Sequence, residues 1–240
     1  MNIDNIKKSL SSFASPQKAQ LLQRFFKTGL GEYGEGDKFL GVVVPNIRKV
    51  VKMYWQDVAL EEVEKLLRSV YHEERLTALL ILVKKFERGA LIDQKKIFQL
   101  YLKNIKKYIN NWDLVDLTAP RIVGIYLTDK DKSILSKLAK SKNLWERRVA
   151  ILSTFAYIYQ GDSRETIKIA NILINDEQDL IHKAVGWMLR EVGKRCSVVP
   201  LVGFLKKYAH KMPRTMLRYA IERLPSEQRV FWLRYKERTI

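Results

Sequence analysis

Cysteine is almost absent from this chain: Cys196 stands alone among 240 residues. One thiol forms no internal disulfide and anchors no thiolate metal cluster, which fits a reducing compartment. We read Cys196 as a small buried hydrophobe. Histidine is scarce too. His72, His182 and His210 are scattered, and none has a partner at metal-ligand spacing, so no metal is expected and each reads as a surface or capping residue. Neither a Gly-x-Ser-x-Gly elbow nor a Cys with a plausible nearby His occurs, which leaves hydrolysis through a covalent Ser or Cys intermediate unsupported. No uncharged apolar stretch reaches membrane-spanning length, and the N-terminal run Met1–Lys8 lacks the apolar core of a signal peptide. We therefore expect a cytoplasmic protein without membrane attachment.

Acidic residues are outnumbered. Lys and Arg total 44 against 26 Asp and Glu, a net charge of +18. An excess of that size points to phosphate-rich partners, with an anionic membrane surface as the lesser option and a merely solvated basic surface as the bland alternative. The 47% hydrophobic content is that of an ordinary globular protein, long enough for one domain with a sizeable core or for two small ones.

Period-two strand patterns and Asn-Gly hairpins are missing, and apolar residues recur at helical spacing nearly throughout. This predicts an all-α chain with helices at about 3–13, 16–29, 45–56, 59–69, 73–88, 93–108, 112–126, 131–140, 144–159, 163–174, 178–193, 198–208, 212–224 and 226–237. Pro45 and Pro213 fall where a first helical turn tolerates proline, whereas Pro120 should kink or end the helix that opens at Trp112. Ala78, Ala119, Ala150, Ala184 and Ala220 recur in comparable patterns at intervals of 41, 31, 34 and 36 residues. Those intervals are in the range of two-helix HEAT-like units, with small residues where neighbouring helices approach. We read residues 1–240 as a single HEAT-like α-solenoid domain with a concave basic face. Residues 1–44 would hold the N-terminal helices and a Gly-rich loop, and 45–240 the helical repeats. An irregular helical bundle is the alternative.

The segment Gly31–Gly41 is the exception to helix. Its glycines at 31, 34 and 36 superficially resemble a phosphate loop, but no strand precedes them, and Glu32, Glu35 and Asp37 would repel phosphate. A flexible connection between the first two helices and the rest is the better reading, from which Tyr33 and Phe39 could reach a ligand.

The run Asn111-Trp112-Asp113-Leu114-Val115-Asp116 carries the most chemistry. Trp112 and Asp116 are four apart and share one helical face, an indole beside a carboxylate in a strongly basic chain. Such a pair would hold positive charge inside a surface built to attract anions. The ordinary alternatives are that Asp116 pairs with a neighbouring Lys or Arg, and that Trp112, Trp145 and Trp187 fill gaps between repeats. Arg148 follows Arg147, so at least one of them should lie outside the core, able to grip a phosphate. Lys183 and Arg190 lie four before and three after Trp187 on one helical face, and Arg214 and Arg218 are analogous in the last repeat. An ion pair of Arg190 with Glu191 competes with a DNA contact.

Three ordered segments at matching separations resemble the AlkD-type DNA alkylation repair glycosylases: Asn111–Asp116, Leu144–Leu152 and Ile181–Glu191. The likeness covers most of the chain from about Phe39. It implies a HEAT-like solenoid that excises positively charged alkylpurines such as 3-methyladenine and 7-methylguanine from double-stranded DNA. Contacts would be to backbone and sugar rather than in a base pocket. Trp112, Asp116, Arg148 and Trp187 stand at positions matching the family's functional residues. The resemblance thus implies Asp116, Trp112 and Trp187 as catalytic residues and Arg148, with Lys183, Arg190 and Arg214, as DNA contacts. No cofactor and a monomer are expected. A noncatalytic HEAT-like protein that binds damaged or branched DNA is the alternative; a protein scaffold would explain the repeats but not the charge.

Overall fold

The computed structural model describes residues 3–235. Residues 236 and 237 of the helix expected at 226–237, and the extreme ends of the expected 1–240 domain, lie outside that range. The described chain is helical, with no strand and a single isolated bridge between Lys38 and Tyr71. It divides into two compact units, Met1–Thr118 and Ala119–Ile240.

Unit 1 contains α1 (Ile3–Ser11), α2 (Pro16–Phe25), α3 (Val44–Tyr54), α4 (Leu60–Leu67), α5 (His72–Arg88), α6 (Leu91–Tyr108) and the short α7 (Trp112–Asp116). Helix α5 is its centre. The stretch Leu76–Val83 is buried on every face, because α3, α4, α6 and α7 all pack against this helix. Ser15 caps α2 with its hydroxyl, and Asn111 caps α7 by accepting the Trp112 N–H at 2.8 Å.

Unit 2 opens with a π-helical turn, Pro120–Gly124, followed by α8 (Ser133–Ala139), α9 (Leu144–Ser153), α10 (Phe155–Ile158) and α11 (Arg164–Ile172). It continues with α12 (Asp179–Arg195), α13 (Val198–Tyr208), α14 (Arg214–Ile221) and α15 (Ser226–Arg234). Pro120 acts as its chemistry requires: α7 stops at Asp116, and no continuous helix runs to residue 126, since proline cannot donate the next ladder hydrogen bond. The helix expected at 144–159 also breaks, at Thr154.

Repetition is visible in the packing. In unit 2 the π turn, α9, α12 and α14 form a row of successive neighbours, and α8, α11 and α13 pack alongside. In unit 1, α3, α5 and α7 form such a row. All five recurring alanines, Ala78, Ala119, Ala150, Ala184 and Ala220, are buried, with exposures of 0–1%. Small side chains are needed there. A Cβ added at Gly186 of α12 would stand 2.5 Å from the Met216 carbonyl and 2.5 Å from the Tyr219 Cβ, so α12 and α14 touch almost backbone to backbone.

The Gly-rich segment is not the flexible connection expected from its composition. Glu73, at the start of α5, accepts the backbone N–H groups of Leu40, Gly41 and Val42 at 2.9, 2.8 and 3.1 Å. The segment also carries Asp37 and Phe39 into the interior at 5% and 7% exposure. Three N–H bonds to one buried carboxylate hold the chain in place, because leaving any of these polar groups buried without a partner would cost about 1–3 kcal/mol.

Candidate functional site

The residues singled out from sequence sit on the row helices: Trp112 and Asp116 on α7 in unit 1; Arg148 on α9, Trp187 on α12 and Arg214 on α14 in unit 2.

In unit 1, Trp112 and Asp116 are both half-buried. Tyr101 of α6 is wholly enclosed. Burial pushes the Tyr101 phenol up, and the Asp116 charge adds to that shift, so the carboxylate is felt at the phenol. The Thr118 hydroxyl donates to the Leu114 carbonyl, so in the 2.9 Å contact between Tyr101 and Thr118 the phenol is the donor. These bonds tie the C-terminal end of α7 to α6.

The N-terminal end of α7 is tied more firmly, and this was missed in the sequence. His72, at the first position of α5, is not a surface residue: it is 2% exposed. Its Nε2 lies 2.8 Å from Asp113 Oδ2 and its Nδ1 3.2 Å from Asp37 Oδ2. Asp37 also accepts from Arg75 Nη2 at 2.6 Å and from Asn111 Nδ2 at 3.1 Å. Burial opposes the imidazolium, yet the charge and hydrogen bond of Asp113, with the hydrogen bond of Asp37, push His72 up to about 9. Burial likewise raises Asp37, but the bonds from His72 and Asn111 and the Arg75 charge hold it below the usual carboxylate range. With His72 protonated, two cations face two carboxylates and the cluster is neutral.

An aromatic column stands on this cluster. Trp112 stacks on Phe26 with centroids 5.3 Å apart and planes at 18°, and Phe26 stacks on Phe39 at 5.1 Å. The His72 ring lies 4.8 Å from both Phe26 and Phe39. Phe25, 63% exposed, meets Trp112 edge-on at 6.0 Å. One side of the indole is therefore fixed by aromatic packing.

In unit 2, Trp187 is half-buried and lies 5.8 Å from Phe155, which touches the exposed Tyr159. The Arg195 guanidinium lies over the Tyr159 ring at 4.5 Å. Trp145 is 6% exposed and matches the gap-filling alternative.

The expected basic contacts differ in their surroundings. Arg148 is 4% exposed and donates to the Leu180 carbonyl, so it lies within the helix packing. Arg147 is held by Asp176 at 2.6 Å and by the Ser141 and Lys142 carbonyls at 3.0 Å. Lys183 pairs with Asp179 at 2.7 Å, and Arg190 with Glu191 at 3.1 Å and Glu222 at 2.5 Å, the ion pairing weighed as its alternative. A phosphate would compete with these carboxylates. Arg214 is exposed at the first position of α14 and donates to the Leu233 carbonyl at 2.8 Å; Arg218, one turn on, is exposed too.

Among the described residues no group of three or more His, Cys, Asp or Glu could hold a metal ion, and no helix is long and apolar enough to cross a membrane.

The packed helix rows and the half-buried indole and carboxylate of α7 define an all-helical repeat protein with a candidate site on α7. The model of the DNA alkylation repair enzyme family matches residues 6–224, so this chain belongs to that family. Its fold is similar to that of a solved structure described as a predicted DNA alkylation repair enzyme from Enterococcus faecalis. The TM-score is 0.69 at 18% identity, covering 89% of this chain and 97% of that one. Among curated proteins none matches.

Proposed function

We propose that this member of the family is a monofunctional DNA glycosylase that hydrolyses the N-glycosidic bond of cationic alkylpurines, 3-methyladenine and 7-methylguanine, in duplex DNA. The observation that carries the reading is the half-buried Trp112–Asp116 pair on one short helix of a chain with net charge +18.

Alkylation at N3 or N7 leaves the purine positively charged and already a good leaving group. No general acid is then needed, and one carboxylate suffices where glycosidases use two. As the bond breaks, positive charge moves to the deoxyribose. A carboxylate about 4 Å away stabilises that charge by about 4 kcal/mol at an effective dielectric of 20, roughly a thousandfold in rate. Asp116 fills this role and orients the attacking water. Trp112 and Trp187 offer aromatic faces to the sugar or the cationic base, each contact contributing about 0.5–2 kcal/mol. Arg148, Lys183, Arg190 and Arg214 are the proposed backbone contacts, with the last the most open of the four. The lesion is processed without a dedicated base pocket, which admits bulky adducts.

The test is release of free base from duplex DNA containing 7-methylguanine, measured beside Asp116→Asn. The parent should release base and the variant should lose on the order of a hundredfold or more in rate. Tight DNA binding without release would instead favour a noncatalytic protein that binds damaged or branched DNA.

A further inference from the structure

The polar side chains that meet at the start of α7 are more than a buried ion cluster, because their bonds converge on the two residues flanking Trp112. Asn111 is fully buried, bonds Asp37 through Nδ2 and caps the Trp112 N–H through Oδ1. Asp113 bonds His72 through Oδ2 and accepts its neighbour's Leu114 N–H through Oδ1 at 2.9 Å. The first turn of α7 is therefore held on both sides of the indole by groups from the Gly-rich segment and α5. His72 is the only one of them that touches both carboxylates and also packs on Phe26 and Phe39, the rings beneath the indole.

A five-residue helix has no stability of its own, since one turn fixes several dihedrals for one or two hydrogen bonds. Its orientation must come from tertiary bonds. We infer that His72 is a positioning residue for the proposed reaction: bridging Asp37 and Asp113, it sets the first turn of α7 and thereby the plane of Trp112 and the reach of Asp116. It touches no substrate and transfers no proton. This inference rests on the glycosylase reading for its catalytic consequence, but its structural half, the coupling of His72 to Trp112, stands apart from that reading.

The charges facing His72 are Asp113 from α7, Asp37 from the Gly-rich segment and Arg75 from its own helix; Phe26 and Phe39 meet it as neutral rings. In the neutral state the bridge loses one of its two donated bonds, because a neutral imidazole carries one N–H. Deprotonation near pH 9 should thus loosen α7 while the rest of unit 1 keeps its core.

The experiment joins two readouts on the full chain. The indole N–H resonance of Trp112 is assigned by its disappearance in Trp112→Phe and followed from pH 6 to 10, while single-turnover release of 7-methylguanine is timed across the same range. The parent should show a Trp112 shift and a fall in rate with a common midpoint near 9. His72→Gln should abolish that midpoint in both and lower the rate by about tenfold or more, as misplacement of a reacting group does, with DNA affinity within about twofold. Should His72→Gln fail to fold, Asp37→Asn serves: removing one facing carboxylate should move the Trp112 midpoint to lower pH. A Trp112 signal indifferent to pH and to either substitution overturns the inference. So does a folded His72→Gln that releases base at the parent's rate, since a merely structural histidine would change melting alone. If the parent releases no base while its Trp112 signal follows His72, the glycosylase reading is what fails.

Discussion

At the scale of the residue, His72 governs a stability that depends on pH in a defined direction. Its folded pKa, about 9, lies above the ordinary 6.5. The proton therefore favours the folded state fully below pH 6.5, progressively less between 6.5 and 9, and not at all above. At about 1.4 kcal/mol per unit the stake is on the order of 3 kcal/mol. Urea denaturation should show stability falling through that window, and His72→Gln should flatten the fall; a parent curve level from 6.5 to 9 would mean the imidazole is neutral. Asp37 works from the other side. Its pKa is held below 3.8, so its contribution is present above that value and is lost as pH falls through the lower, folded one. Asp116 and Trp112 were legible as a pair because their four-residue spacing is local. Nothing local paired His72 with Asp37, 35 residues away, or with Asp113, 41 residues away. A weak signal did exist. The run His72–Arg75 opens a helix whose next eight residues are apolar but for Thr77, and polar groups at the mouth of so enclosed a helix need partners.

Elements carry a different lesson. Helix positions followed from apolar periodicity, and the break at Pro120 came from a single residue, whereas the break at Thr154 had no such mark in the sequence. The Gly-rich segment misled because glycine content speaks for conformational freedom, while the bonds from Glu73 that remove it are tertiary. Gly34 illustrates how tightly that segment is fitted. A Cβ there would stand 2.4 Å from the Phe26 carbonyl and 3.3 Å from Asn111 Nδ2, between the aromatic column and the α7 cap. Gly203, exposed within α13, would meet nothing within 4 Å. Gly34→Ala should therefore destabilise by about 1–3 kcal/mol, whereas Gly203→Ala should stabilise by about 0.5–1 kcal/mol through helix propensity. Thermal melting distinguishes them, and shifts of the same sign would contradict this packing.

Over the whole molecule, charge rather than shape makes the prediction. A chain carrying +18 whose four proposed contacts each neutralise one phosphate should lose DNA affinity with salt at a log–log slope of about −3.6. Arg148→Ala isolates one contributor. If its guanidinium reaches a phosphate, the slope flattens by about one; if its bond to the Leu180 carbonyl is its whole role, melting falls while the slope stays fixed. Fluorescence titration of labelled duplex at several salt concentrations decides between these outcomes. Lys183 and Arg190, already facing Asp179, Glu191 and Glu222, should contribute less to the slope than Arg214 does.

By itself the sequence determined where the helices lie, the break at Pro120, the alanine-marked repeat and the placing of Trp112 beside Asp116, since each depends on residues within a few turns of one another. Only the tertiary structure decided which polar groups are buried together: His72 between two carboxylates, Arg148 on a backbone carbonyl, Glu73 across a loop. Such pairings depend on distance in space, and a chain that returns on itself after 35 or 41 residues brings together partners that spacing along it cannot reveal.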